Sequence, residues 1–191
     1  KLIIRTFDDL FQFVPKKSIT ETSVFKSLDV KELGGALSVF NDQIVSTNNY
    51  SIYAILNGKK IKISDTYRSS ESMQSKLNPT LLFSSNTAYG LLLHQFNGRV
   101  WKEIKIKGGE KYSGREIFEP EPGKIFISTR KGIVMFTYDS TGQGTFTPIS
   151  QDKSFAKTKQ LKKLFYLNAK VLAALDSSNK TFIVDVKAKK L

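Results

Sequence analysis

The sequence predicts an all-β chain built from repeated four-stranded antiparallel sheets, and three features carry this prediction. Apolar residues fall in short runs rich in Ile, Val, Phe and Tyr, separated by clusters of Gly, Asn, Asp and Ser. Helical periodicity is scarce. A two-strand pattern recurs five times at intervals of 38 to 46 residues, which is typical of the blades of a β-propeller.

Each copy of the pattern consists of an apolar strand, a short polar turn and a second apolar strand. A further apolar run such as Ala36–Phe40 precedes the first of these strands. The dipeptides Asn57-Gly58 and Asn97-Gly98 predict type I′ turns, in which both residues adopt positive φ, before one more strand. One blade therefore consists of four antiparallel strands. The strand-end positions on which we align the five copies are Thr6, Thr47, Ser85, Thr129 and Leu175.

The repeat predicts a single propeller region over residues 1–191. Since the chain opens on Lys1 within an apolar run, and since propellers close with about four to eight blades, we expect a piece of a larger propeller. The alternative fold is an irregular antiparallel sandwich. Ser154–Leu164 is the best helix candidate, although its lysine-rich sequence fits a loop equally well. The predicted units are a partial blade at 1–33, blades at about 34–72, 73–113 and 114–158, and a partial blade at 159–191.

Composition excludes several classes of site. Apolar residues make up 40% of the 191 residues, which is enough for a core, and cysteine is absent. His94 is the single histidine, so a disulfide scaffold, a thiolate metal site and a multi-histidine metal cluster are excluded. No apolar run reaches the roughly 18 residues of a membrane span. We therefore predict no metal, no cofactor and no span in this segment.

The residues that could support catalysis have structural interpretations. His94 lies on an apolar strand, where we expect it to face solvent or cap a sheet. Glu119 and Glu121 could form a glycosidase acid pair. The Pro-rich segment from Glu119 to Gly123 is instead typical of a hairpin turn with solvated carboxylates. We therefore predict no catalytic residues and a chain that is not an enzyme.

The loops between the two middle strands of each blade gather at one face of a propeller, where ligands and partners bind. Tyr50 and Tyr89 occupy corresponding places in two of these loops. Exposed tyrosines with Asn neighbours fit contact with a sugar or a peptide, whereas the alternative is that both rings pack between blades. The predicted ligand-binding residues are Asn48, Tyr50, Thr87, Tyr89, Arg130 and Lys131.

The chain is strongly basic, with 30 Lys and Arg against 17 Asp and Glu and a formal net charge of +13. A functional interpretation is a polyanion partner, such as nucleic acid, an anionic membrane face or an acidic polysaccharide. The alternative, which we favour, is that lysines prevent exposed edge strands from pairing with other chains. The densest basic segments are 153–170 and 187–190.

The segment from Arg115 to Phe136 resembles the repeat of two-component regulator propellers, which form the extracytoplasmic sensor of hybrid histidine kinases and related receptors. Phe126 stands where this family usually has Trp, and Ser128 where it usually has Gly. The third unit matches more loosely through Ser85, Gly90, Leu91 and Trp101, and the second through Thr47 and Tyr53. The matching positions of the fourth unit are Glu119, Gly123, Phe126, Thr129 and Gly132.

The resemblance implies a non-catalytic, ligand-sensing or interaction propeller in the periplasmic or extracellular part of a bacterial two-component receptor. Its partners would be a glycan or peptide ligand and further blades or domains of the parent protein. Two alternatives stay open. One is a cytoplasmic scaffold propeller that binds proteins or polyanions, and the other is a carbohydrate-active propeller enzyme with two carboxylates that converge in a cleft.

Overall fold

The computed structural model contains five antiparallel sheets and one short 3-10 helix, Gly109–Lys111, within its described residues. This confirms the predicted all-β fold class with four-stranded antiparallel sheets, although the sheets do not close into a ring. The described residues are 3–5, 10–15, 24–28, 36–47, 50–56, 59–65, 69–129, 132–149, 161–168, 171–176 and 178–184.

Within each sheet the strands follow chain order. The first sheet contains β1 (Ile3–Arg5), β2 (Leu10–Val14) and β3 (Val24–Ser27), and the second β4 (Ala36–Phe40), β5 (Gln43–Thr47), β6 (Ile52–Leu56) and β7 (Lys59–Ser64). The third contains β8 (Ser69–Gln74), β9 (Leu81–Asn86), β10 (Gly90–Phe96) and β11 (Trp101–Ile104). The fourth contains β12 (Gly114–Glu121), β13 (Lys124–Thr129), β14 (Gly132–Tyr138) and β15 (Gly144–Pro148), and the fifth β16 (Leu161–Asn168), β17 (Val171–Asp176) and β18 (Thr181–Val184).

The first and fifth sheets each contain three of the four strands of the repeat, and the missing strand differs between them. In the fourth sheet, Ile149 after the last strand donates its N–H to the Ile133 carbonyl on the third strand, at 2.9 Å. Leu28 after β3 donates in the same way to the Leu10 carbonyl on β2, at 2.8 Å. Strands β1 to β3 therefore correspond to the second, third and fourth strands of a unit. Because β16 packs against the first strand of the fourth sheet, β16 to β18 correspond to the first three.

One predicted blade boundary and one helix candidate need correction. The expected boundary between blades at residues 72 and 73 lies inside β8, which pairs with β9 in the third sheet. The serine-rich sequence of β8 lacks the apolar run that identified the other first strands. The C-terminal part of the helix candidate Ser154–Leu164 is also wrong as a helix, since Leu161 begins strand β16; residues 151–160 lie outside the described ranges.

The turns differ in part from the expected type I′ geometry. Gly98 has a φ of 90°, but Asn97 is not among the residues with positive φ. The Asn97 side chain instead accepts backbone N–H bonds from Arg99 and Val100, at 3.0 and 2.9 Å, in a four-residue loop. The two-residue turn between β4 and β5 has φ values of 46° and 61° and is formed by Asn41-Asp42, which the sequence reasoning missed. Asn57-Gly58 lies outside the described residues.

Apolar side chains of adjacent sheets face each other and form the core. Between the third and fourth sheets, Phe83 contacts Tyr138 edge-on with ring centroids 4.7 Å apart. Similar clusters join the first sheet to the second, the second to the third, and the fourth to the fifth. Burial of these faces is the main favourable term that holds the sheets side by side.

Carboxylates on the first strands add polar contacts between sheets. Glu71 on β8 accepts the Ile117 N–H of β12, at 3.2 Å, and Glu116 on β12 accepts the Leu164 N–H of β16, at 2.8 Å. Both glutamates follow a register shift in their strands. Since β12 and β16 are edge strands of their sheets, these carboxylates satisfy backbone donors that no strand pairs.

Candidate functional site

The strand register shows which turns lie at the same end of the sheets, and the sheets have two such ends. At the first, which we call the tyrosine end, β5 turns into β6 and β9 turns into β10. Gly114 pairs with Thr129, so β12 also begins at this end and the connections between sheets lie there. At the opposite end, which we call the far end, lie the turns after the first and third strands of each sheet. The predicted ligand-binding residues that the structure describes, Tyr50, Thr87 and Tyr89, belong to turns of the tyrosine end.

The turn that carries Tyr89 is held in one geometry by its neighbours. The buried Asn86 side chain accepts the backbone N–H groups of Ala88 and Tyr89, at 2.7 and 2.8 Å. Gly90 has a φ of 83°, and a Cβ atom at this position would lie 2.0 Å from the Gly109 carbonyl oxygen. The turn therefore rests directly on the connection to the fourth sheet. Tyr89 stays 54% exposed above it.

The turn that carries Tyr50 lies beside an ion pair. The Tyr50 side chain is 70% exposed. The adjacent Ser51 hydroxyl donates to Asp65, at 3.3 Å, and Lys62 contacts the same carboxylate oxygen at 2.9 Å. The hydrogen bond from Lys62 lowers the pKa of Asp65. This side of the site therefore presents an aromatic ring together with fixed opposite charges.

Three of the six predicted ligand-binding residues lie in the described part of the chain, and two of these three are exposed. Tyr50 and Tyr89 are both exposed, so neither ring is packed between two sheets. Thr87 is half-buried in the Tyr89 turn. Whether these residues bind a ligand stays a prediction. The other predicted residues, Asn48, Arg130 and Lys131, lie outside the described part of the chain.

Glu119 is a buried carboxylate that the sequence reasoning placed in solvent. Only 1% of the residue is exposed. Its two oxygens accept the Lys76 N–H at 2.6 Å, the Gly123 N–H at 2.9 Å and the Tyr138 hydroxyl. The expectation of solvated carboxylates is therefore wrong for Glu119. The strand β12 continues through this segment and turns Glu119 toward the third sheet.

Tyr138 and Ser75 complete this polar network at the far end. The Tyr138 hydroxyl also meets the Ser75 hydroxyl, at 2.7 Å. Burial, and the hydrogen bond to Glu119, raise the pKa of Tyr138 above its ordinary value. Because both Glu119 oxygens are engaged, this carboxylate stabilises the junction of the third and fourth sheets. Its partner in the expected acid pair, Glu121, is exposed and contacts Lys124 at 2.8 Å.

His94 is fully buried on β10, so the expectation that it faces solvent is wrong. Neither ring nitrogen has a hydrogen-bond partner among the described residues. Its Nε2 lies 3.8 Å from a carboxylate oxygen of Glu103 on the neighbouring strand. Burial lowers the pKa of His94 to about 4. The imidazole is therefore neutral at pH 7.

This buried histidine should make stability depend on pH. The unfolded chain binds a proton at His94 with a pKa of 6.5, whereas the folded protein does so only near 4. The free energy of unfolding should therefore fall as the pH decreases from about 6.5 to about 4, by roughly 3 kcal/mol in all. Urea denaturation at several pH values measures this slope. His94→Leu should flatten it, and an unchanged slope in this variant would contradict the assignment to His94.

No group of three or more His, Asp or Glu side chains could hold a metal ion within the described ranges. None of the helical segments that the structure describes is long and apolar enough to cross a membrane.

Comparisons with known proteins give structural similarity without sequence similarity. No protein-family profile and no curated protein sequence matches the chain. The extracellular domain of a hybrid two-component system protein from B. thetaiotaomicron is similar over 83% of this chain, with a TM-score of 0.58 and 17% identity. The match covers 21% of that domain, so the chain spans about a fifth of its length.

Two further solved structures share the fold. The N-terminal domain of Nup159 is similar over 74% of this chain and 38% of its own, with a TM-score of 0.51 and 8% identity. A protein from Bacteroides fragilis described as a 6-phosphogluconolactonase is similar over 94% of this chain and 64% of its own, with a TM-score of 0.56 and 12% identity. At these identities, the likenesses show that the chain has a fold of repeated four-stranded sheets shared by proteins of different function.

Proposed function

We propose that the chain is a non-catalytic, ligand-sensing part of an extracytoplasmic propeller in a bacterial two-component receptor. The observation that supports this most strongly is the likeness to the extracellular domain of a hybrid two-component system protein. The repeat resemblance at Arg115–Phe136 points to the same class of receptor. On this proposal the chain works in the periplasm or outside the cell, together with further blades of its parent protein.

The ligand would bind at the tyrosine end. Tyr50 and Tyr89 project from equivalent turns of two adjacent sheets, and the backbone around Tyr89 is fixed by Asn86 and Gly90. Exposed rings on a rigid turn lose little conformational freedom on binding. A tyrosine ring offers an apolar face to a sugar ring or a peptide side chain, and its hydroxyl can form hydrogen bonds. We therefore propose a glycan or a peptide as the ligand.

The alternatives predict other behaviour. A scaffold propeller would bind a protein partner in the cytoplasm, and an enzyme such as a lactonase would turn over a substrate. Among the described acids, Glu119 is fully engaged and Glu121 is paired with Lys124. This arrangement favours the sensor over a hydrolase that uses these two carboxylates.

Loss of both tyrosine rings should weaken ligand binding. The wild-type chain is screened on a glycan array and a peptide array, and any hit is titrated by calorimetry. The double variant Tyr50→Ala, Tyr89→Ala should weaken binding at least about tenfold, because two stacked rings are lost. The double variant with Phe at both positions keeps the rings and should retain most of the affinity.

Phe25→Ala provides the matched control for this experiment. Phe25 is an exposed aromatic residue on β3, within a strand and away from the tyrosine end. Its variant should bind the ligand as the wild type does. Binding that survives the loss of both tyrosines, or that falls equally in Phe25→Ala, would contradict the proposed site. Hydrolysis of a 6-phosphogluconolactone substrate by the wild-type chain would contradict the non-catalytic assignment.

A further inference from the structure

Exposed aliphatic side chains gather at the far end of the first three sheets. Each lies in, or within two residues of, one of the turns β2–β3, β4–β5, β6–β7, β8–β9 and β10–β11. The most exposed are Val39 at 62% and Val100 at 59%. The described residues of the tyrosine end present tyrosines as their exposed large apolar side chains instead. The far-end residues, which we call the aliphatic tips, are Val14, Val24, Val39, Leu56, Leu77 and Val100.

Basic residues stand next to these tips. Arg99 immediately precedes Val100, and Lys76 immediately precedes Leu77. Lys59 pairs directly with Leu56 across the β6–β7 hairpin, and Lys60 follows it. All four basic side chains are exposed. Aliphatic groups and positive charges therefore alternate on one surface.

The acidic residues at the described turns of the far end offset only part of this charge. Asp139 accepts hydrogen bonds from the backbone and the hydroxyl of Thr141, at 2.8 and 2.5 Å. Glu121 is held in its contact with Lys124. Asp42, in the β4–β5 turn, is exposed. The four basic side chains Lys59, Lys60, Lys76 and Arg99 outnumber Asp42 and Asp139, so the surface around the aliphatic tips carries a net positive charge.

Edge protection accounts for only part of this arrangement. Lys59 and Lys60 lie on β7, an edge strand of the second sheet, where lysines can prevent pairing between chains. Arg99 and Lys76 instead lie in turns, and β15, the outer edge strand of the fourth sheet, contains no charged residue. The exposed aliphatic side chains add nothing to the protection of a strand edge. A surface that combines apolar tips with positive charge has the chemistry that binds an anionic lipid bilayer.

We propose that the far end docks onto a membrane surface that contains anionic lipids, with the aliphatic tips in the headgroup region and the basic residues against lipid phosphates. A bilayer fits better than a soluble polyanion. A polyanion would use the charges but leave the tips in water, and single-stranded nucleic acid would also need exposed aromatic platforms. Among the described residues Phe25, which follows Val24, is the one exposed aromatic side chain beside the aliphatic tips, whereas Tyr50 and Tyr89 lie at the opposite end.

Vesicle flotation tests this proposal with the whole chain. The protein is mixed at low salt with phosphatidylcholine vesicles that contain about one third phosphatidylglycerol, and with pure phosphatidylcholine vesicles. The wild type should float with the anionic vesicles and bind the neutral ones at least about tenfold more weakly. Absence of binding to the anionic vesicles would overturn the proposal.

Two sets of variants separate charge from insertion. The charge variant Lys59→Gln, Lys60→Gln, Arg99→Gln should weaken binding to anionic vesicles at least about tenfold. The tip variant Val39→Ser, Leu56→Ser, Val100→Ser should weaken it by a similar factor, because apolar surface no longer leaves water. All six positions are exposed, so these variants should keep the wild-type melting temperature.

The matched control removes the same charge elsewhere. Lys107→Gln, Lys111→Gln, Arg115→Gln changes three exposed basic residues in the connection to the fourth sheet and at the start of β12, at the tyrosine end. This variant should bind within about twofold of the wild type. Equal losses in the charge variant and this control would mean attraction by net charge, and would overturn a specific docking face.

Soluble polyanions provide the remaining comparison. If heparin or duplex DNA binds the chain and the tip variant binds vesicles as the wild type does, the surface recognises charge alone and the proposal is overturned. The inference does not depend on the ligand site. The double variant Tyr50→Ala, Tyr89→Ala should bind anionic vesicles as the wild type does.

Discussion

Glu119→Ala is expected to lower the free energy of unfolding by about 3–5 kcal/mol, because three donors lose the buried carboxylate that accepts their hydrogen bonds. The Lys76 and Gly123 N–H groups and the Tyr138 hydroxyl would lose their common acceptor, Glu119, which is itself buried. For a chain of this length the melting temperature should fall by about 6–20 °C. Calorimetry or thermal circular dichroism measures the change.

Glu121→Ala is the matched control. It removes a carboxylate two positions along the same strand, but one that is exposed and paired only with Lys124 at the surface. Exposed ion pairs add little to stability, so the melting temperature should hardly change. Glu119→Gln should fall between the two, because its amide keeps one acceptor but places an N–H₂ group among donors. Similar melting temperatures for the two alanine variants would contradict the buried network.

Gly90→Ala is expected to cost at least about 3 kcal/mol and to displace the Tyr89 turn. A Cβ atom at this position would meet the Gly109 carbonyl oxygen at 2.0 Å, and the contacted atom is backbone. The connection to the fourth sheet must therefore shift, in addition to the strain of a positive φ in a residue with a side chain. If Tyr89 contacts the ligand, ligand affinity should fall together with stability.

Gly98→Ala separates these two costs. Gly98 has a φ of 90°, close to that of Gly90, but nothing lies within 4 Å of an added Cβ atom. Its substitution should cost only the backbone strain, about 1 kcal/mol, and leave ligand binding unchanged. Urea denaturation of both variants measures the difference. Equal losses would mean that the approach of Gly90 to Gly109 contributes nothing to stability.

The repeat in the sequence predicted the sheets well where the strands are apolar. Val45, Phe83, Ile127 and their neighbours lie on strands found from short apolar runs, because burial against the next sheet requires such residues. Strand β8 was not predicted, because its sequence has no apolar run. Ser72 is buried but polar, and the Glu71 carboxylate bonds to the next sheet. Contacts with the neighbouring sheets stabilise β8 as a strand, and the local sequence pattern does not contain this information.

The site could be predicted only at the level of its turns. Equivalent positions in the repeat identified Tyr50 and Tyr89, and both are exposed. The buried states of Glu119 and His94 depend on residues distant in sequence, such as Lys76 for Glu119. The Pro-rich surroundings of Glu119 favoured a solvated turn, and tertiary packing overrode that local preference. One signal was present, since a lone histidine in an apolar strand already suggested a structural residue.

The most direct test of the proposed receptor function is to read the complete open reading frame that encodes this segment. If the chain belongs to such a receptor, further four-stranded repeats should lie beside residues 1–191, followed by a membrane-spanning helix and a histidine kinase or another output domain. A signal peptide should precede the repeats, since the propeller must leave the cytoplasm. A frame that contains neither a membrane span nor an output domain would contradict the sensor assignment and favour a scaffold or an enzyme.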